Sequence, residues 1–249
     1  MTHRQEILGA VYNCPQYIPI LYKQYNKDLL TKILRGLLPR RIGLEFECCG
    51  LVYYAIEDKS IQNDIDLKKY YNLYSICVDY MRMNDTEKKK FDTCLIEHRI
   101  SFLGYKQIAN LHSILQDMSK VCVLSKSGIH IHIDINDILR HIDINDTLRS
   151  AFNVHGRTIL KEQFEKRLNK IESIVGKYHG TYNGKRVAHE SKHAWVSIRH
   201  DNKESVEIRI APLTFDYTTI IDWCIKLTAM VEEIKRELKI TTKYHFKKD

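Results

Sequence analysis

Apolar positions change period several times along this chain, and each change marks an element. Within 22–37, "YKQYNKDLLTKILRGL", the residues Leu29, Leu30, Ile33, Leu34 and Leu37 recur at helical spacing and predict a helix ending near Gly36. After Pro39 the period drops to two, and "RIGLEFECCGLVYYAI", rich in β-branched and aromatic residues, predicts a strand. "CLIEHRISFL" (94–103) predicts a second strand, and "SGIHIHIDI" (127–135) is the clearest strand in the chain. Between them "GYKQIANLHSILQDMSKV" predicts a helix with Ile108, Leu111, Ile114, Leu115 and Met118 on one side. One amphipathic helix is expected over 158–175, through Ile159, Phe164, Leu168, Ile171 and Val175. A hairpin follows, "HAWVSIRH" and "SVEIRIAPL" around the turn "DNKE". The last helix starts near Asp216, a residue suited to capping, with Ile220, Cys224, Leu227, Val231, Ile234 and Leu238 as its buried stripe. Residues 57–93 are polar and take no assignment from pattern. Strands joined by hairpins or long helices, without regular βαβ alternation, predict an α+β fold with a largely antiparallel sheet and helices on one face.

The same alternation sorts the chemistry. Side chains two apart on a strand share a face. In "GLEFEC", Glu45 and Glu47 therefore oppose Leu44, Phe46 and Cys48. In "GIHIHIDI", His130, His132 and Asp134 oppose Ile129, Ile131, Ile133 and Ile135. In "VEIRI", Glu207 and Arg209 oppose Val206, Ile208 and Ile210. If the three strands join one sheet, its polar face gathers three glutamates, two imidazoles and a guanidinium. Carboxylates so crowded repel one another unless cations sit among them. Carboxylate oxygen with an occasional imidazole suits Mg²⁺ or Mn²⁺, ions that commonly bridge to nucleotide phosphates. Arg209 would then supply a fixed, always-charged fork for a phosphoryl group. The plain alternative is a sheet with one wetted face, on which Glu and His merely meet water.

Composition narrows the setting. With 44% hydrophobic and 28% charged residues, 249 positions can bury a core, and only 4 prolines and 10 glycines leave no linker-like stretch. A single domain over 1–249 is expected, with a helical lead-in at 1–38 and a frayed tail at 239–249. The formal charge of +8 is compatible with a polyanionic ligand, but the lysines are scattered and the densest run, "EKKKF", holds three. No recognised nucleic-acid motif accompanies that charge, and "LKKYYNLY" alone, with tyrosines beside lysines, is thin support for nucleic acid as a partner. Seven cysteines without a Cys-x-x-Cys pair argue against a disulfide framework or zinc ribbon and for a reducing compartment. The start of the chain lacks a continuous apolar run, and no stretch approaches the ~18 apolar residues of a membrane span. The expectation is a cytoplasmic protein without a membrane partner.

At the three polar-faced strands the sequence resembles the amidoligase family, relatives of glutamine synthetase and glutamate–cysteine ligase. "IGLEFE" matches that family's Gly-Val/Leu-Glu-x-Glu, "SGIHIHID" its Gly-Leu/Ile-His-Val-His, and "SVEIRIAPLTFDYTTIIDWCIKL" its Val-Glu-x-Arg followed by a turn and a long helix. The resemblance runs over about residues 40–238. It implies a glutamine synthetase-like catalytic fold, with ATP and Mg²⁺ or Mn²⁺ held on the polar face of the sheet. The implied reaction joins a carboxylate substrate to an amine substrate, peptide or protein side chains among the candidates, through an acyl phosphate. Carried over by residue, Glu45, Glu47 and Glu207 would ligate metal, and His130 would lie near nucleotide and metal with His132 beside it. Arg209 would steady the phosphoryl group. "IEHRIS" offers Glu97 as a further ligand, although the glycine-rich stretch the family carries before that position is missing. Nothing carried over identifies either substrate.

One further pattern lies beside the central strand. "HIDINDILR" (132–140) is followed at once by "HIDINDTLR" (141–149). Nine residues is an odd number on a strand, so a copy inside it would reverse the facing of everything after it. The second copy is thus expected to lie beyond the strand, with Asn145 and Asp146 capping a short helix through "TLRSAF", and His130–His132 is the pair that carries chemistry. Two other functions compete with the ligase. A metal-dependent hydrolase could use the same His-x-His, although a His-x-His-x-Asp-His site would need histidine where Ile135 stands. A ligase fold without activity could serve as a binding or assembly module.

Overall fold

The computed structural model describes residues 3–24, 26–48, 84–86, 96–102, 105, 108–121, 128–144, 152–176, 186–189, 194–199 and 204–241. Three helices lead in: α1 (His3–Asn13), α2 (Ile18–Gln24) after a 3₁₀ turn at Pro15–Tyr17, and α3 (Lys27–Leu37). The helix expected to begin at 22 begins at Lys27. Asn26 caps it by accepting the Asp28 backbone N–H at 2.8 Å, so the residues before it close α2 instead. Strand β1 (Ile42–Cys48) follows, then β2 (Ile96–Phe102), helix α4 (Ile108–Val121) and strand β3 (Gly128–Asp134). Helices α5 (Asn136–Ile144), α6 (Phe152–Glu165) and α7 (Leu168–Val175) come next. Strands β4 (Val187–His189), β5 (Val196–Arg199) and β6 (Ser205–Pro212) lead to the long α8 (Tyr217–Glu237).

Among the described residues the strands form one six-stranded sheet in the order β2-β1-β3-β6-β5-β4. The class is α+β, as expected, but the sheet is mixed rather than largely antiparallel. Pairs β1–β2, β1–β3, β3–β6 and β5–β6 are antiparallel, while β4 lies parallel to β5. Strand β4 escaped the sequence reading because three residues, "VAH", carry no measurable period.

Apolar side chains of the central strands, among them Leu44, Phe46, Ile129, Ile131, Ile133, Val206 and Ile208, are buried in one continuous core with residues of the helices. Such burial stabilises by about 1.5–3 kcal/mol per large side chain. Phe215, just before α8, stacks on Phe46 with ring centroids 6.0 Å apart. The α8 stripe expected from the pattern is buried from Ile220 to Ile234, and Asp216 caps the helix by accepting from the Thr219 backbone N–H at 3.0 Å. The single helix expected over 158–175 is two. The chain breaks at Lys166–Arg167, where the Arg167 guanidinium turns back to donate to Gln163 O at 3.0 Å and Gln163 Oε1 at 2.8 Å. Gly176, at φ 81°, closes α7 in a conformation that favours glycine.

The doubled phrase crosses elements. His132–Asp134 ends β3, and Asp134 Oδ1 accepts the Asn136 backbone N–H at 2.9 Å, a cap that starts α5. That helix continues into the second copy, so the same tripeptide His-Ile-Asp is strand at 132–134 and helix at 141–143. The expected cap at Asn145 and Asp146 lies outside the described residues, as do most of 57–93 and the tail from 242. No helix among the described residues is long and apolar enough to cross a membrane.

Immediately before β1, Arg40 is fully buried and holds the sheet to α5 and α8. It donates to Asp137 Oδ1 at 2.7 Å, to Glu232 Oε1 at 2.7 Å and to the Asp134 carbonyl at 2.8 Å. Lys235 also donates to Asp137. Burial works to raise the Asp137 pKa, but the hydrogen bonds and charges of Arg40 and Lys235 outweigh it and hold the carboxyl below its ordinary range.

Candidate metal centre

Register brings the predicted polar residues together. Glu45 of β1 pairs with His130 of β3, and His132 of β3 pairs with Glu207 of β6, which pairs in turn with Ser197 of β5. A bulge between β3 and β6 sets Ile129 opposite Ala211 and Ile131 opposite Ile208, so that His130 has both Arg209 and Ile210 across from it. Glu45, Ser197 and Arg209 are buried, His130 and Glu207 are completely so, and His132 is half-buried.

Two imidazoles face the same two carboxylates. His130 Nδ1 lies 3.4 Å from Glu45 Oε2 and 3.3 Å from Glu207 Oε1. His132 Nε2 lies 3.4 Å from Glu45 Oε1 and 3.7 Å from Glu207 Oε1, and it is buried without a hydrogen bond. Arg209 donates to Glu207 Oε1, and Arg199 of β5 donates to Glu207 Oε2 at 3.2 Å. Burial works to raise the Glu207 pKa. The His130 hydrogen bond, with the charges of His132, Arg209 and His130, overcomes it and leaves the pKa lowered.

One ligand atom each from Glu45, His132 and Glu207 falls within 4.8 Å of the others, the group of metal-binding type found among the described residues. The spacing suits a cation. Bonds of about 2.1 Å in a tetrahedral arrangement set neighbouring ligands roughly 3.4 Å apart, which is long for a hydrogen bond. The unbonded His132 Nε2 is the atom that such an ion would satisfy. Two carboxylates with an imidazole suit Mn²⁺ or Zn²⁺ better than Mg²⁺, which prefers an all-oxygen shell.

Of the residues singled out from sequence, Glu45, His130, His132, Glu207 and Arg209 meet here. Arg209 is paired with Glu207 two positions along its own strand. Glu47 and Glu97 stand opposite each other in the β1–β2 register, but their side chains lie outside the described residues. Sequence reasoning missed Arg199, although "VSIR" carried the signal: Ser197 and Arg199 alternate against buried Val196 and Ile198. His141, in the second copy of the repeat, belongs to no such group. Comparisons of this chain with family models, with curated proteins and with solved structures found no match.

Proposed function

We propose that the chain is an ATP-dependent carboxylate–amine ligase with a glutamine synthetase-like fold, using a divalent cation on the polar face of its sheet. The observation that carries the reading is the convergence of Glu45, His132 and Glu207 from three strands, with the ligand atoms within 4.8 Å. The order of those strands along the chain is the order the amidoligase resemblance requires. In the reaction a carboxylate oxygen of one substrate attacks the γ-phosphorus of ATP, ADP leaves, and an acyl phosphate forms. The amine nitrogen of the second substrate then attacks the acyl carbon, phosphate leaves, and the nitrogen loses a proton. A bound cation would supply charge neutralisation for the phosphates. Glu45, His132 and Glu207 would hold it, and His130 faces both carboxylates through Nδ1. The His130 hydrogen bond and the charges of His132 and Arg209 keep the buried Glu207 ionised, and Arg199 and Arg209 place two guanidinium forks beside the site, where transferred oxygens need fixed positive charge.

A second reading has its own support. Each Glu207 oxygen already accepts from a guanidinium, so the cluster can be balanced internally, as in a binding module without chemistry. Titration with a non-hydrolysable ATP analogue separates the two. The ligase binds it only with Mn²⁺ or Mg²⁺ present, and Glu45→Ala or His132→Ala removes that dependence. Absence of nucleotide binding, or binding indifferent to metal and to both substitutions, overturns the ligase.

A further inference from the structure

A second site lies on the other side of the sheet. The C-terminal end of α1, the middle of α4 and the start of α8 border a half-open cavity of about 210 Å³, with Gln116 and Asp216 exposed at its mouth. Phe215 at its wall stacks on Phe46, a residue of the apolar face, so the cavity is separated by the sheet from the Glu45–Glu207 cluster. Four aromatic rings line it, those of Tyr12, His112, Phe215 and Tyr217, together with the side chains of Gln116 and Asp216. Among the described residues, no lysine or arginine lines it. The His112 and Tyr217 rings meet edge-on, 5.3 Å apart. Tyr217 is only 6% exposed, and its hydroxyl has no hydrogen-bond partner.

Aromatic faces carry negative potential and attract cations, and a carboxylate at the same wall adds to that attraction. Oxygens on Gln116 and Asp216 accept N–H donors. We propose that this cavity binds a small primary organic ammonium, its apolar body among the rings and its N–H groups on the Asp216 and Gln116 oxygens. The volume holds roughly seven waters and lies below the ~300 Å³ at which pockets for drug-sized ligands begin, a size that matches a small amine. This inference stands whether or not the sheet face is a ligase site.

The test is titration of the full chain with benzylammonium, its neutral isostere benzyl alcohol, and benzoate, followed by calorimetry and by shifts of the amide resonances. Benzylammonium should bind saturably, with resonances of α1, α4 and the start of α8 shifting, benzyl alcohol about fivefold more weakly, and benzoate not at all. Asp216→Asn retains a good capping side chain and should leave folding intact while reducing the benzylammonium affinity about threefold and leaving that of the alcohol unchanged. Gln116→Trp, at an exposed wall position, should block both ligands. Equal affinity for ammonium and alcohol, an unaltered affinity in Asp216→Asn, or no binding of benzylammonium at millimolar concentration each overturns the assignment.

Discussion

Arg40 and Glu45 stand five positions apart, one just before β1 and one within it, and each anchors a buried cluster of charges. Around Arg40 the contacts are short and complementary: two cations, Arg40 and Lys235, meet two anions, Asp137 and Glu232. Around Glu45 the imidazole contacts lengthen to between 3.3 and 3.7 Å, and one buried nitrogen, His132 Nε2, is left unbonded. The first cluster is complete within the protein and ties the sheet to α5 and α8. The second brings three potential metal ligands together and leaves one ligand atom among them, His132 Nε2, without a hydrogen bond. A buried group left unsatisfied costs about 1–3 kcal/mol, so a fold that retains it requires a reason, and an external cation is one.

The largest effect expected from breaking this contrast is at Arg40. Arg40→Met leaves Asp137 with Lys235 and takes the buried guanidinium from Glu232, and should cost about 3 kcal/mol in denaturant unfolding, with no dependence on metal. A loss under about 1 kcal/mol would show that the Arg40 cluster does not hold the sheet to the helices.

That cluster was not legible in the sequence. Arg40 follows Pro39 in "LLPRRIG" and reads as a surface base, and its partners lie 97 and 192 positions away. The sheet-face cluster was legible because strand alternation is a local rule: once the three strands were recognised, their polar residues had to share a face. Register was not, and neither was the bulge that gives His130 two residues to face. The repeat shows the limit most directly. His-Ile-Asp is strand at 132–134 after an alternating run and helix at 141–143 after a cap at Asp134 has started α5. Flanking residues, not the tripeptide, decide its state. At the break, Arg167 likewise makes a long-range ion pair with Glu237, which helical spacing cannot reveal.

Next in size is the response to metal. Mn²⁺ at 100 times its Kd should stabilise the chain by about 2.7 kcal/mol, or roughly 5–11 °C in Tm for a protein of this length. Asp137→Asn should keep that increment and Glu207→Gln should lose it. An increment surviving Glu207→Gln would move the ion elsewhere.

Acid should act on both clusters alike. Asp137 and Glu207 each have a folded pKa below the unfolded value. Their stabilisation is therefore complete above the unfolded carboxylate value, near pH 4, and is lost as pH falls through the folded one. Unfolding free energies measured without metal between pH 7 and pH 2 should decline below about pH 4, and Asp137→Asn should flatten part of that decline.

The smallest effect separates the clusters most finely. Removing an imidazole nitrogen that makes no hydrogen bond while keeping a ring in its place deprives the metal-free protein of little, so His132→Phe should change its stability by no more than about 1 kcal/mol. It should nevertheless erase the gain from Mn²⁺. A large loss without metal would mean that His132 is already fully engaged.

The central claim is that Glu45, His132 and Glu207 form one cation site. Mn²⁺ binding to the full chain, followed by electron paramagnetic resonance, tests it most directly. The account predicts one saturable ion per chain, with imidazole nitrogen in its coordination shell, and loss of that ion in Glu45→Ala and in His132→Ala. Saturation at a site without nitrogen coupling, or an ion retained unchanged in both variants, would contradict it.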